Sequence, residues 1–416
     1  MSRAVTVKPA SFAGTVQAVP SKSDAHRALI AAALAGGECR LSDWGDSDDV
    51  RATLQALEAL GLIRTRSGFS LSGGGSMRSD VTISCGQSGS TLRFLIPLTL
   101  VLGEGARFTG EGRLMQRPLS VYERLFARQG VDWRLKGDHL TVSGRLAAGR
   151  YELPGDVSSQ FVTGLCFALP LLEKDSQIDF TSPLESGGYV GMTLETLRRF
   201  GIKIHERANG LDIPGGQRYH PAVYAIEGDW SYGAFWLAAG AMGGDVTVRG
   251  LKSPSRQGDS RVSAILQEMG ATIAQSGDTV RACGNTLRGA EISLADVPDL
   301  APVLAVAACA AHGRSRFTHA RRLRIKESDR LAAIGRMVTD LGGRIELGED
   351  EFIIEGVGRL KGGVVETQHD HRMAMAEAVA AGIAEGPVYL DDRDCVAKSA
   401  PPFWDHYKAL GGRWDE

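Results

Sequence analysis

Apolar positions along this chain fall into two alternating kinds of helical pattern. One kind is apolar all round and rich in small residues, as in Ala28-Leu29-Ile30-Ala31-Ala32-Ala33-Leu34, Leu304-Ala305-Val306-Ala307-Ala308 and Met373-Ala374-Met375-Ala376. Such stretches begin near Ser23, Thr91, Ser159, Ser231, Asp299 and His371. A helix with no polar face belongs inside a domain. The other kind is amphipathic and covers Asp49–Leu60, Pro118–Gln129, Val190–Phe200, Asp259–Met269, Ser328–Leu341 and Pro402–Leu410. Short alternating runs such as His139-Leu140-Thr141-Val142 and Glu351-Phe352-Ile353-Ile354 predict strands between and after the helices. The repeating unit is therefore strand–helix–strand–helix–strand–strand.

A glycine marks the same point in each unit. Gly61, Gly130, Gly201, Gly270, Gly342 and Gly411 recur at intervals of 69 to 72 residues, each after an amphipathic helix and before a strand. A helix C-terminus favours glycine there, because the chain passes through the left-handed region as it turns back. Six copies of one α/β unit fill the chain, and equivalent loops can deliver side chains to a shared site. At 416 residues the chain suits two domains of about 200 residues, three repeats each. The seam falls near Glu227-Gly228-Asp229, and a strand at Val5–Val7 lets the N-terminal arm join the C-terminal half. The expected domains are residues 1–19 with 228–416, and residues 20–227.

Composition narrows the function. With 43% hydrophobic and 23% charged residues the chain reads as an ordinary globular protein, and a net charge of −2 excludes nucleic-acid binding by bulk charge. Any anion site must come from local clustering. None of the six cysteines shows a CxxC or Cys/His metal spacing, so they read as buried free thiols in a reducing compartment. The start, Met1-Ser2-Arg3-Ala4-Val5, carries no apolar signal core, and no run has the ~18 apolar residues of a membrane span. A cytoplasmic location, away from membranes, is expected.

Polar chemistry gathers where chain meets helix. Ser21-Lys22-Ser23-Asp24-Ala25-His26-Arg27 opens the first buried helix; Cys85-Gly86-Gln87-Ser88-Gly89-Ser90-Thr91-Leu92-Arg93 opens the second. Free N–H groups at such points favour an anion, although a capped helix with exposed charges explains the first motif as well, and an ordinary turn the second. Arg117 stands just before Pro118. Ser158-Ser159-Gln160 and Ser186-Gly187-Gly188-Tyr189 precede two further helices and suit either a phosphate or a simple cap. Asp299 leads a very apolar helix, where a carboxylate is commonly a cap. Lys326-Glu327-Ser328-Asp329-Arg330 places Glu327 and Arg330 three apart, fit for one helix face or a plain salt bridge. His369-Asp370-His371-Arg372 lacks a third spaced ligand and is a weak metal signal, whereas Arg372 opening a buried helix needs an anionic partner. Lys398 occupies the sixth equivalent loop. The shared phase is the stronger signal: Lys22, Arg27, Arg93, Arg117, Lys326, Arg330, Arg372 and Lys398 all lie at or near helix starts. A charge-assisted hydrogen bond contributes roughly 1.5–3 kcal/mol, against about 0.3–1 kcal/mol for a helix end. The side chains would dominate, and the site suits small substrates rich in phosphate and carboxylate.

These blocks together resemble the 5-enolpyruvylshikimate-3-phosphate synthase family of enolpyruvyl transferases, from Pro20-Ser21-Lys22-Ser23 through Ser158-Ser159-Gln160, Lys326–Arg330 and Asp370-His371-Arg372-Met373-Ala374-Met375 to Lys398. The resemblance implies an α/β, two-domain enolpyruvyl transferase fold of six βαβαββ repeats, three per domain, as an inside-out α/β barrel with its active site in the interdomain cleft. It implies transfer of the enolpyruvyl group of phosphoenolpyruvate to the 5-hydroxyl of shikimate-3-phosphate, with release of phosphate. Lys22, Ser23, Arg27, Ser158, Ser159, Gln160, Ser186, Tyr189, Asp299 and Lys326 would hold shikimate-3-phosphate. Lys22, Gly89, Arg117, Gln160, Arg330, Arg372 and Lys398 would hold phosphoenolpyruvate, or the inhibitor glyphosate. Asp299, Glu327 and Lys22 would be catalytic, with Asp299 as base on the 5-hydroxyl and Glu327 as acid at the methylene carbon. No metal or organic cofactor is implied, and a monomer is.

The sequence also departs from the family pattern. Pro20-Ser21-Lys22 stands for the common Pro-Gly-Ser-Lys, Gln87-Ser88-Gly89-Ser90 for Asn-Ala-Gly-Thr, Phe94 for a proline and Arg322 for a frequent asparagine. A rival is UDP-N-acetylglucosamine enolpyruvyl transferase, which usually carries a reactive cysteine in the loop equivalent to Phe108–Pro118; this loop has none. A non-catalytic anion-binding scaffold would not need the two acids Asp299 and Glu327.

Overall fold

The amphipathic and the wholly apolar patterns both fold as helices, in strict alternation. The computed structural model describes residues 3–75, 77–78, 80–284 and 286–416; Met1 and Ser2 of the expected N-terminal arm lie outside the described residues. The helices are α1 (Lys22–Leu34), α2 (Asp48–Ala59), α3 (Gly89–Leu102), α4 (Ser120–Ala127), α5 (Ser159–Ala168) and α6 (Gly187–Arg199). They continue as α7 (Trp230–Ala241), α8 (Val262–Glu268), α9 (Ala301–Ala310), α10 (Arg330–Asp340), α11 (His371–Val379) and α12 (Phe403–Ala409). Odd-numbered helices are the apolar ones, and every residue of α7 is buried.

Among the described residues the strands form six four-stranded sheets. In four of them the first strand along the chain runs parallel to the second, and the fourth inserts between second and third in antiparallel pairing; the other two reach the same arrangement with a strand from a distant part of the chain. Thr82–Ser84 pairs with Gly105–Thr109, that strand with His139–Ser143, and the last with Asp132–Lys136. The parallel pair requires a crossover, and the apolar helix provides it.

The chain clusters into two compact units, Met1–Val19 with Glu227–Glu416, and Pro20–Ile226. In the first unit the N-terminal arm supplies two strands. Val5–Lys8 inserts between Val388–Leu390 and Arg413–Asp415, with Thr6 opposite Tyr389 and Val7 opposite Trp414. Ala13–Gln17 then runs parallel to Asp245–Arg249 as the opening strand of another sheet. In the second unit Val223–Tyr224, at the end of the segment, pairs with Glu38–Leu41 near its start. Each unit is thus closed by strands from the far end of its own chain. Glu227, expected with residues 20–226, groups instead with the first unit, where its carboxylate accepts from Ser255 Oγ at 2.6 Å and pairs with Lys252 Nζ at 3.0 Å.

All six repeat glycines adopt positive φ, between 74° and 98°. The residue after each closes the same backbone bond to the carbonyl five positions back, as from Leu62 N to Leu57 O at 3.0 Å and from Gly412 N to Tyr407 O at 2.8 Å. This is the glycine-terminated helix end expected from the repeat. Inside the second unit, Gly164 lets α5 approach α3: a Cβ there would lie 2.4 Å from the Arg93 carbonyl oxygen and 2.3 Å from Tyr122 Oη. In the first unit α7, α9 and α11 pack on one another.

Some helix starts differ from expectation. α6 begins at Gly187, three residues before Val190, because Ser186 takes a left-handed conformation with φ 57°. α8 and α9 are each preceded by a 3-10 turn, Gly258–Arg261 and Pro298–Leu300, so Asp259 and Asp299 lie ahead of the α-helices. Cys39, Cys85, Cys166 and Cys309 are buried free thiols, whereas Cys283 and Cys395 are partly exposed. Among the described residues no helix is long and apolar enough to cross a membrane.

Gly130 isolates the backbone term, since φ is +75° and a Cβ would meet nothing within 4 Å. Gly130→Ala is expected to lower stability by about 1–2 kcal/mol and Gly130→Asn by less, because asparagine tolerates the left-handed region. The shift in urea midpoint at constant slope measures this; equal costs for both would contradict it.

Candidate active site

In the first unit the chemistry converges on one guanidinium. Asp329 caps α10, its Oδ1 accepting from Ala332 N at 3.0 Å, and so fixes Arg330 as the first helical residue. The Arg330 side chain is 1% exposed. Its Nε donates to Asp370 Oδ2 at 2.7 Å, Nη1 to Asp299 Oδ1 at 2.7 Å, and Nη2 to Glu327 Oε2 at 2.8 Å and Asp370 Oδ1 at 3.1 Å. Asp370 caps α11 through a bond from Arg372 N at 3.0 Å, and also accepts from Ser328 Oγ at 3.0 Å. Asp299 pairs further with Lys326 Nζ at 3.2 Å and Arg372 Nη2 at 3.1 Å. Three cations and three carboxylates balance in this group.

That balance sets the protonation states. Burial pushes the Asp299 carboxyl up, but Arg372, Lys326 and Arg330 outweigh it and hold Asp299 well below the usual carboxylate range. Burial also opposes ionisation of Asp370, yet Arg330 keeps it below the ordinary value. For Arg330, burial lowers and the carboxylates of Asp370, Glu327 and Asp299 raise, and the carboxylates win. Burial prevails at Lys326, whose ammonium is lowered despite Asp299. A further acid, Asp259, accepts a hydrogen bond from Ser231 Oγ. Burial first, and then the charge of Asp299, pushes Asp259 up to about 7, against the pull of Arg372.

These cations are neutralised from inside the unit. Lys326, Arg330 and Arg372 already have carboxylate partners within the unit. The reason is physical: a guanidinium at 1% exposure without a counter-ion is strongly disfavoured. Asp299 is not a helix cap; it sits in the Pro298–Leu300 turn with its carboxylate turned to the cations. Lys398 is buried in the turn Asp394–Lys398.

The second unit gathers the other expected residues in two neighbourhoods. In one, Arg27 Nε donates to Thr193 Oγ1 at 2.8 Å and Nη2 to the Tyr189 carbonyl at 3.1 Å, while Nη1 reaches the Ser23 carbonyl at 2.5 Å. The Tyr189 N–H bonds the carbonyl of Ser186 at 3.1 Å. Arg27 also lies over the Phe94 ring, 5.2 Å from its centroid, and burial lowers its pKa to about 10. In the other, Gly89 starts α3 against two guanidiniums: a Cβ there would lie 2.8 Å from Arg93 Nη1 and 2.9 Å from Arg117 Nη1. Arg93 donates to Gln160 Oε1 at 2.7 Å and to the Pro118 carbonyl at 3.1 Å, and Gln160 Nε2 donates to Ser90 Oγ at 3.0 Å. Ser158 caps α5 by accepting from Gln160 N at 3.3 Å, and Ser159 is its first, buried residue. Lys22 pairs with Asp49 Oδ2 at 2.7 Å. Ser21 occupies the cap position of α1 with no side-chain cap bond.

Four of these partners escaped the sequence. Asp370 had a usable signal, since an aspartate directly before an apolar helix is a cap candidate. Asp49, Thr193 and Asp259 had none, because each is tens of residues from the group it serves and lies on another element.

Solved structures share this architecture. EPSP synthase from Acinetobacter baumannii superposes with a TM-score of 0.82 at 25% identity, over 99% of this chain and 100% of that one. The enolpyruvyl transferase NikO from Streptomyces tendae matches with a TM-score of 0.79 at 18% identity, over 100% and 99% of the two chains. The fold is that of the enolpyruvyl transferases. The family model for EPSP synthase (3-phosphoshikimate 1-carboxyvinyltransferase) matches residues 7–407. Among relatives named 3-phosphoshikimate 1-carboxyvinyltransferase, that of Clostridium kluyveri is 43% identical over 418 residues, 99% of this chain and 98% of its own. That of Clostridioides difficile is 42% identical over 427 residues, again 99% and 98%. The chain belongs to the EPSP synthase family.

Asp259 gives the candidate site a pH signature. Its folded pKa, about 7, lies above the unfolded value of ~3.9. The folded state therefore holds a proton that the unfolded state releases, and stability falls as pH rises through that window. Asp259→Asn is expected to flatten the fall between pH ~4 and ~7, read from urea midpoints across pH. An unchanged slope would mean that Asp259 ionises normally.

Proposed function

We propose that this protein is a 3-phosphoshikimate 1-carboxyvinyltransferase of the shikimate pathway, moving the enolpyruvyl group of phosphoenolpyruvate to the 5-hydroxyl of shikimate-3-phosphate and releasing phosphate. The observation that carries the assignment is a pair of carboxylates, Asp299 and Glu327, held by one buried guanidinium, in a chain 43% identical over its length to a relative of that name.

The proposed chemistry uses the two acids differently. Glu327, as a carboxylic acid, protonates C3 of phosphoenolpyruvate, which makes C2 electrophilic. The 5-oxygen of shikimate-3-phosphate attacks C2 while Asp299 takes its proton. The tetrahedral intermediate then collapses: the bond between C2 and the phosphate oxygen breaks, phosphate leaves with the electron pair, and Glu327, a carboxylate after the first step, takes a proton from C3 to restore the double bond. Arg372, Lys326 and Arg330 keep Asp299 ionised, the state a base needs, while lowering its affinity for the proton. Cations near the phosphate stabilise the charge that develops as it departs.

Substrate ligands are assigned in two sets. Lys22, Ser23, Arg27, Ser158, Ser159, Gln160, Ser186, Tyr189, Asp299 and Lys326 hold shikimate-3-phosphate. Lys22, Gly89, Arg117, Gln160, Arg330, Arg372 and Lys398 hold phosphoenolpyruvate, and glyphosate competes there. Lys22 also assists catalysis. The protein acts as a monomer in the cytoplasm.

Phosphate release measured with phosphoenolpyruvate plus shikimate-3-phosphate tests the assignment, and turnover with the sugar nucleotide UDP-N-acetylglucosamine in its place would overturn it. Glu327→Gln is expected to lower kcat by roughly 10²–10⁴-fold with little change in substrate dissociation constants. A near-normal rate would remove Glu327 from the acid role.

A further inference from the structure

Helix α2 contributes nothing to the proposed ligand sets, yet it turns two buried polar side chains toward α1. Asp49 and Thr53 stand one helical turn apart, and so do their partners Lys22 and His26. Lys22 Nζ lies 2.7 Å from Asp49 Oδ2, and His26 Nδ1 lies 2.7 Å from Thr53 Oγ1. The second rung continues. Thr53 Oγ1 is 2.6 Å from Thr91 Oγ1 on α3, and Thr91 Oγ1 donates to Ser88 Oγ at 2.7 Å. Ser88 is the cap of α3, its Oγ also accepting from Thr91 N at 3.2 Å. His26, Thr53, Thr91 and Ser88 are all 0% exposed.

Proton counting orders this chain. Each hydroxyl has one hydrogen to donate. Thr91 gives its hydrogen to Ser88, so Thr53 must donate to Thr91. Thr53 then has none left, so His26 must carry its proton on Nδ1 and donate to Thr53. The bonds run one way, from His26 through Thr53 and Thr91 to Ser88. A buried hydroxyl without a partner is costly, so each member locks the rotamer of the next.

The chain ends on the residue before Gly89. Gly89 packs close against the guanidiniums of Arg93 and Arg117, and a Cβ there would displace one or both of them. A small displacement of the Ser88 cap therefore shifts the start of α3 relative to Arg117. We infer that Thr53 and His26 are positioning residues for the phosphoenolpyruvate subsite, holding the Ser88–Gly89 turn in register with Arg117; this rests on the proposed function. Neither touches substrate.

Thr53→Val keeps the shape and removes the hydroxyl, and Thr53→Ser restores the hydroxyl. In steady-state phosphate-release assays, Thr53→Val is expected to raise KM for phosphoenolpyruvate about tenfold, the size of one buried hydrogen bond, with kcat and KM for shikimate-3-phosphate within about twofold. Thr53→Ser is expected to return KM to near the parent value. An unchanged KM for phosphoenolpyruvate, or a uniform loss in all three parameters that serine does not rescue, overturns the inference. A second readout needs no turnover: hydrogen exchange of the unliganded protein. Residues 85–93 are expected to exchange faster in Thr53→Val and normally in Thr53→Ser, with residues 159–168 and 371–379 unchanged. Unaltered exchange over 85–93 would overturn the relay whatever the parent's activity. Absence of phosphate release by the parent protein would overturn the assigned reaction instead.

Discussion

The first unit depends on the burial of Arg330. A guanidinium taken out of water must be met by negative charge, and here three carboxylates from separate segments meet it: Asp299 from the turn before α9, Glu327 from the segment before α10, and Asp370 from the cap of α11. One side chain thereby fixes the relative placement of three helix starts. Breaking a buried pair of this kind costs ~3–5 kcal/mol, chiefly because the remaining charge is stranded. The same ion holds two acids, Asp299 and Glu327, and Asp299 meets two further cations, Lys326 and Arg372. Structural and chemical demands therefore fall on the same atoms, and either can account for the arginine's presence.

Arg27 in the second unit shows what happens with other partners. It is also buried, but its donors go to a threonine hydroxyl and backbone carbonyls, and its face to the Phe94 ring. Burial then prevails and its pKa falls to about 10, whereas Arg330 is raised by its carboxylates. The two residues have the same chemistry and opposite shifts because dipoles solvate a charge without neutralising it. Around Arg27 and Arg93 the second unit is accordingly held by hydroxyls, amides and carbonyls, with one ion pair at Lys22 and Asp49, whereas the group around Arg330 in the first is held by ion pairs.

Much of the architecture was legible because it repeats. The positive-φ glycines, the alternation of apolar and amphipathic helices and the six four-stranded sheets follow from patterns with a fixed period. Elements that break the pattern were not legible. Ala13–Gln17 is exposed at four of its five positions and carries no alternation, and Val223–Tyr224 is two residues long. Only pairing with strands more than a hundred residues away makes them strands. The left-handed turn at Ser186 was equally hidden, since a serine there does not advertise positive φ.

What the sequence determined by itself was local: where helices begin and end, which faces are apolar, and which charged residues stand at helix starts. Those properties depend on neighbours within a few turns. Tertiary structure alone decided which charges neutralise one another, that Asp49 meets Lys22 and Asp259 is pushed up beside Asp299, and that a histidine and two threonines from three helices form one hydrogen-bond chain. Electrostatic and hydrogen-bond energies depend on distance in space and on exclusion of water, and neither is a function of separation along the chain.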